Sequence, residues 1–276
     1  MSIAIVNGIR LSYHMVGEGP LVLLIMGSGS PGRAWRTYQV PALVQAGFRV
    51  ATLDNRGIAP SEESADGITI DDLVADSAAL IEYLGTPAHV VGTSLGALVA
   101  QELALERPEL IDHAVMMATA GRPHPMLLAL NAGERELHDE NVRLPPRYGA
   151  AIKATLHLSP HTLEDPAAAQ HWLDMFEFSA SATAAPGVRA QLGIDYSRNR
   201  LSDYTRITTP SLIIGFSDDL LAPPKYCREV AAAIPDARYV EIDRCGHLGY
   251  LERPEEVNRV VIDFLFGRTH QDHDRP

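Results

Sequence analysis

Gly92-Thr93-Ser94-Leu95-Gly96 lies between an apolar run, Ala88–Val91, and a helical one, Leu95–Leu105. A serine on a strand-to-helix turn is lifted out of the sheet, where its hydroxyl can act as a nucleophile. Such a turn strains the serine backbone, and its neighbours two residues away must be small. Gly92 and Gly96 meet that demand. A hydroxyl is a poor nucleophile until a base takes its proton, and the base needs an acid to orient it. Both partners are expected after later strands, since an open α/β sheet builds its site at the carboxyl ends of its strands. Asp218 and Asp219 follow an apolar segment ending in Gly215-Phe216, and His247 follows one ending at Ile242. The backbone N–H of Leu95, directly after the serine, is the expected donor to a developing oxyanion.

These residues need a scaffold, and the chain is patterned to supply one. Asn7-Gly8 between Ile3–Val6 and Ile9–Met15 marks a type I′ hairpin. Leu21–Met26 is apolar throughout, as in a strand buried on both faces. Strands are then expected at Phe48–Leu53, Ala88–Gly92 and Ile111–Met117, with helices at Ile70–Leu84 and Leu95–Glu106. This βα alternation implies a doubly wound, mostly parallel sheet with right-handed crossovers. The rhythm breaks after Ala120. Residues 121–209 read as helical and irregular, punctuated by Pro123, Pro125, Pro145, Pro146, Pro160, Pro166 and Pro186. Alternation resumes with Ser211–Phe216, Lys225–Ala233, Tyr239–Ile242 and Pro254–Phe266. The expected organisation is a core of residues 1–120 and 210–268, a helical cap of residues 121–209, and a polar tail of residues 269–276.

Composition narrows the partners. With 276 residues and a formal charge of −12, the chain offers no basic face for phosphates or an anionic membrane. No apolar run reaches the ~20 residues that span a bilayer, and no basic segment precedes an apolar one at the N-terminus. A cytoplasmic location is expected. Two cysteines, Cys227 and Cys245, are too few for a disulfide framework and read as buried thiols. The expected partner is a small acyl substrate, with neither nucleic acid nor membrane, for a monomer or homodimer.

The order Ser94, Asp219, His247 resembles that of the α/β-hydrolase superfamily. Four segments carry the likeness: Leu53–Gly57, Gly92–Ala97, Gly215–Asp219 with Pro223-Pro224, and Cys245–Pro254. They are similar to the actinobacterial branch called non-haem bromoperoxidases, whose members resemble esterases. The resemblance implies an eight-stranded sheet with helices on both faces and a helical cap. It also implies acyl transfer with no metal and no organic cofactor, and halogenation only as a perhydrolase side reaction. Relatives place proline four residues after the acid, and Pro223 stands four after Asp219, favouring it over Asp218. By position, Ser28 supplies the second oxyanion N–H, although Met26-Gly27-Ser28-Gly29 replaces the usual His-Gly-x-Pro.

The expected chemistry is hydrolysis of a carboxylic ester, thioester or lactone of a medium-sized, largely apolar substrate. Carbon–carbon bond cleavage or elimination, perhydrolysis, and non-enzymatic ligand binding are the alternatives. Asp54 and Arg56 read as an ion pair shaping the loop beside the elbow. The glycines of 27–32 lack the lysine and spacing of a P-loop. Trp172, Phe176 and Phe178 are spaced to share one helix face, either as cap core or as pocket wall; Trp172 and Phe176 are the expected substrate contacts.

Overall fold

A computed structural model describes residues 1–64, 67–180 and 186–267. The tail expected at residues 269–276 lies outside them. The chain opens with β1 (Ser2–Val6), β2 (Ile9–Val16), β3 (Leu21–Ile25), a 3-10 turn at Gly32–Arg36, α1 (Gln39–Gln45), β4 (Arg49–Leu53) and α2 (Ile70–Leu84). It continues with β5 (Ala88–Thr93), α3 (Leu95–Glu106), a 3-10 turn at Pro108–Leu110 and β6 (Ile111–Met117). Six helices follow: α4 (Pro125–Asp139), α5 (Pro146–His157), α6 (Pro160–Glu164), α7 (Pro166–Ala180), α8 (Pro186–Leu192) and α9 (Leu201–Tyr204). The chain then forms β7 (Ser211–Phe216), α10 (Pro224–Ala233), β8 (Arg238–Ile242), α11 (Gly249–Glu252) and α12 (Pro254–Leu265).

Eight strands form one sheet in the order β1-β2-β4-β3-β5-β6-β7-β8. β1 and β2 are antiparallel to their neighbours, and β3 to β8 run parallel. The hairpin turns on Asn7 and Gly8 with φ of 47° and 75°, the two positive values that a type I′ turn requires. α2 is held at its start by a capping box: Asp72 N–H donates to Thr69 Oγ1, and Thr69 N–H to Asp72 Oδ2.

The central strands are buried on both faces, with the period of two that a pleated strand imposes. Leu21, Leu23 and Ile25 pack with α2, α3 and α10, while Val22, Leu24 and Met26 pack with α1 and α12. Two apolar layers thus sandwich the sheet and leave its strand ends open for the site. Sequence periodicity missed α1, where Pro41 interrupts the apolar pattern. Pro41 falls in the first helical turn, where a missing N–H breaks no helix bond.

Between β6 and β7 the prolines that punctuate the sequence open helices: Pro125, Pro146, Pro160, Pro166 and Pro186 each stand at the start of one. That position suits proline, whose fixed φ is helical. A separate apolar cluster of Ala150, Ala154, Leu158, Trp172 and Phe176 joins α5 to α7. Among the described residues this segment adds no strand to the sheet.

Candidate active site

Ser94 sits between β5 and α3 with φ 54° and ψ −120°. Such a backbone costs about 1–3 kcal/mol and persists only where its surroundings enforce it. A Cβ on Gly92 would come within 2.1 Å of the Gly96 carbonyl oxygen, and one on Gly96 within 2.1 Å of the Ile25 carbonyl oxygen. The turn therefore admits no side chain at either position. Ser94 N–H donates to Met117 O on β6, which ties the strained residue to the sheet. No backbone carbonyl among the described residues takes up the Leu95 N–H. At a helix start, that leaves a donor free for a ligand.

His247 lies in the loop after β8, and its Nδ1 is 2.8 Å from Asp219 Oδ2. Asp219 follows β7; its other oxygen accepts from the N–H groups of Leu221 and Ala222, each at 2.8 Å. The carboxyl group is fully buried. Burial raises its pKa, but the His247 charge, their hydrogen bond and the two N–H donors outweigh that and hold it below the usual carboxylate value. Asp218 points elsewhere, accepting from Ser159 Oγ at 2.5 Å at the start of α6. Of the two adjacent carboxylates, Asp219 meets the histidine and Asp218 anchors the inserted helices.

The loop after β3 brings Gly27 against Ser94: a Cβ there would lie 3.2 Å from that of Ser94. Gly29 N–H donates to Gln191 Oε1 of α8 at 2.8 Å, and Gln191 Nε2 to Arg56 O at 2.8 Å. Gly32 N–H donates to Asp54 Oδ1 at 2.8 Å, and Asn55 Nδ2 to Met26 O at 3.0 Å. Three side chains thus brace a loop that glycine would leave loose. The expected Asp54–Arg56 pair is not formed. Arg56 instead bonds Asp76 of α2 at 2.7 and 2.9 Å and Asp72 at 3.3 Å, because α2 presents two carboxylates one turn apart.

Ser28, Ser94, Leu95 and His247 border one cavity of about 2350 Å³, larger than the ~300–1,000 Å³ usual for small-molecule sites. The inserted helices form its other side through residues such as Leu128, Leu137, Ile152, Leu156, Phe176 and Val188. Phe176 reaches this space. Trp172 does not: it is buried in the α5–α7 cluster, its ring 5.6 Å from that of Phe176. Phe178, two residues on and so about half a turn around α7 from Phe176, is 84% exposed.

Several residues at the site escaped sequence reasoning. Glu252 of α11 accepts from Gly246 N–H at 2.7 Å with one oxygen. With the other it accepts from Ser159 N–H at 3.0 Å and Thr162 Oγ1 at 2.5 Å, coupling the His247 loop to α6. His157 of α5 lies edge-on to His247 with ring centroids 5.8 Å apart. Its Nδ1 is 2.9 Å from Lys153 O, and a carbonyl only accepts, so the neutral ring carries its proton on Nδ1. Burial, with the neighbouring His247 and Lys153 charges, pushes its pKa down to about 3. Tyr196 stands beside the Ser28 side chain, and burial raises its pKa to about 12, keeping it a neutral hydroxyl. Glu252 falls within the Cys245–Pro254 segment but nothing there signals its bonds to α6, while no motif marks His157 or Tyr196, which arrive through elements distant in sequence.

The Alpha/beta hydrolase family model matches residues 22–260. A Mycobacterium tuberculosis protein with the provisional name non-heme bromoperoxidase BpoC is 46% identical over 258 residues, covering 93% of this chain and 98% of that one. The BpoC crystal structure superposes with a TM-score of 0.89 at 44% identity, over 93% of this chain and 96% of the other. The enol-lactonase from Burkholderia xenovorans LB400 superposes with a TM-score of 0.82 at 28% identity, over 96% and 100% of the two chains. With its eight-stranded sheet and serine-bearing turn, the chain belongs to the α/β-hydrolase family, in its bromoperoxidase-like branch.

Proposed function

We propose that this hydrolase cleaves a carboxylic ester, thioester or lactone through an acyl-enzyme on Ser94. The observation that carries the reading is the Asp219–His247 pair, 2.8 Å apart, whose imidazole borders the same cavity as Ser94 on its strained turn. In this mechanism His247 takes the Ser94 proton as the hydroxyl attacks the substrate carbonyl. Asp219 holds the proton on Nδ1 and stabilises the imidazolium. The Leu95 and Ser28 N–H groups hold the oxyanion, each worth about 3 kcal/mol to the transition state. His247 then protonates the leaving group, and water, deprotonated by the same ring, releases the acid.

The inserted helices act as a cap in this reading, and their aliphatic wall favours a medium-sized, largely apolar acyl group. The likeness to an enol-lactonase supports a cyclic or enol ester within that range. A panel of p-nitrophenyl esters of increasing acyl length, with Ser94→Ala as blank, tests the proposal. Turnover should peak at one chain length, and the variant should lose it by about 10⁴-fold or more while staying folded. Mass spectrometry should find the acyl adduct on the Ser94 peptide. Turnover undiminished in Ser94→Ala would exclude the serine mechanism.

The relative named for bromoperoxidase activity favours one second reading, perhydrolysis, in which peroxide replaces water at the acyl-enzyme. Bromination that depends on both peroxide and a short carboxylic acid, and is lost in Ser94→Ala, would distinguish it.

A further inference from the structure

The end of the sheet opposite Ser94 carries a second group of chemistry-bearing side chains. β5 and β6 keep a regular register from Val90↔Ala114 onward, but the preceding pair is Ala88↔Ile111. Two residues, Asp112 and His113, thus occupy the stretch of β6 that faces the single residue His89. A bulge of this kind re-aims side chains that regular pleating would send to opposite faces. Here it gathers two imidazoles and a carboxylate.

His89 Nδ1 lies 3.5 Å, and His113 Nδ1 3.2 Å, from the same oxygen, Asp112 Oδ2. One ligand atom from each of the three residues lies within 4.8 Å of the other two. These approaches are not hydrogen bonds: both nitrogens are buried with no hydrogen-bond partner among the described residues. His89 is only 5% exposed, and a buried imidazole nitrogen without a partner costs about 1–3 kcal/mol. A cation shared by the three atoms removes that cost. Zinc bound at ~2.0–2.1 Å in a tetrahedron sets its ligand atoms about 3.3 Å apart, a separation that lies between the two distances to Asp112.

The surroundings suit the same reading. Phe48 packs edge-on against His89 with centroids 5.6 Å apart, and Phe264 against His113 at 5.3 Å. Two aromatic walls thereby orient the rings. Burial lowers the pKa of His89, opposed by the Asp112 charge and assisted by that of His113, which favours the neutral imidazole that ligates metals. The Asp112 side chain is 52% exposed, so an ion can reach the cluster from solvent and water can take a fourth position.

We propose that His89, Asp112 and His113 form a binding site for a first-row divalent cation, zinc foremost, that clamps β5 to β6. The ligands are one bulge apart in register, so the ion staples two central strands where their pairing is weakest. Ser94 lies five residues along β5, about 16 Å away at the rise of an extended strand. The site is therefore structural and independent of any chemistry at the serine.

The test is calorimetric titration of the full-length, untagged, chelator-treated protein with zinc chloride, alongside cobalt chloride followed by visible absorption. The sequence also contains His270, Asp272, His273 and Asp274, so the same titration is run on the His270→Ala/His273→Ala double variant. Expected are one zinc per chain in that double variant, visible cobalt bands of tetrahedral intensity, and a higher thermal midpoint with zinc. Asp112→Asn and His113→Gln should each weaken binding at least about tenfold while circular dichroism and fluorophosphonate labelling of Ser94 stay unchanged. Asp112 is exposed, so its variant separates lost binding from lost folding. Absence of saturable binding, binding abolished by the double variant, or binding indifferent to both Asp112→Asn and His113→Gln would each overturn the proposal.

Discussion

The strand-end loops and the inserted helices face each other across one cavity, yet they are built in different ways. In the loops, little is free to move. Gly92 and Gly96 admit no side chain, and Asp219 spends its carboxylate on one imidazole and two backbone donors. Gly29, Gly32 and Met26 are each tied by a named side chain. Across the cavity, α4 contributes no fully buried residue, and the α5–α7 cluster holds only five. In the proposed mechanism the reacting groups sit in the more tightly braced of these two regions, and the substrate wall in the less braced one. Catalysis needs sub-ångström placement, whereas an apolar wall needs only shape and hydrophobicity.

The comparison breaks most visibly at the two adjacent carboxylates. Asp219→Asn should lower kcat by about 10⁴-fold with the fold intact, because the amide no longer holds the required histidine tautomer. Asp218→Asn should cost only a few-fold, since that residue bonds Ser159 and not the reacting ring. Equal losses in ester turnover would mean that the acid role is shared.

A smaller effect separates the two aromatic residues of α7. Trp172→Ala should destabilise the protein by roughly 3 kcal/mol, from lost burial and a cavity in the α5–α7 cluster. Urea unfolding followed by circular dichroism measures this, and the preferred ester length should not change. Phe176→Ala opens the same cluster and should also destabilise, but it alone should shift that preference through KM, because only Phe176 borders the cavity. A reversal of the two outcomes would show that the inserted helices are organised differently around the cavity.

The smallest effect concerns His157. Its folded pKa of about 3 lies below the ordinary 6.5. The unfolded ring therefore takes up a proton between those values while the folded ring stays neutral. Its neutral burial favours folding above about pH 6.5, and that contribution is lost as pH falls toward 3. His157→Gln should flatten the acid limb of a thermal-midpoint-against-pH curve. An unchanged limb would place the pH sensitivity elsewhere.

Much of this architecture was legible beforehand because its signals are local. α2, α3 and β6 begin and end where apolar periodicity and the apolar run place them. The turn around Ser94 was readable because two glycines two residues away have few other uses there. Local pattern failed where a partner had to be chosen. Arg56 had a carboxylate two residues away in Asp54 and took those of α2 instead. Trp172 and Phe176, four residues apart on one helix, both pack in the α5–α7 cluster, and of the two only Phe176 also borders the cavity.

From residue order alone came the parallel sheet, the helical insertion, the serine on its turn and the downstream aspartate and histidine. Backbone periodicity and turn chemistry are properties of neighbouring residues, so they survive without coordinates. Folding decided that Gln191 and Glu252 lock loops to helices 162 and 93 residues away in sequence. It also decided that a bulge turns His89 toward Asp112 and His113. Those choices follow from competition among donors and acceptors in a crowded interior, where small differences in reach and desolvation select the pairs that form.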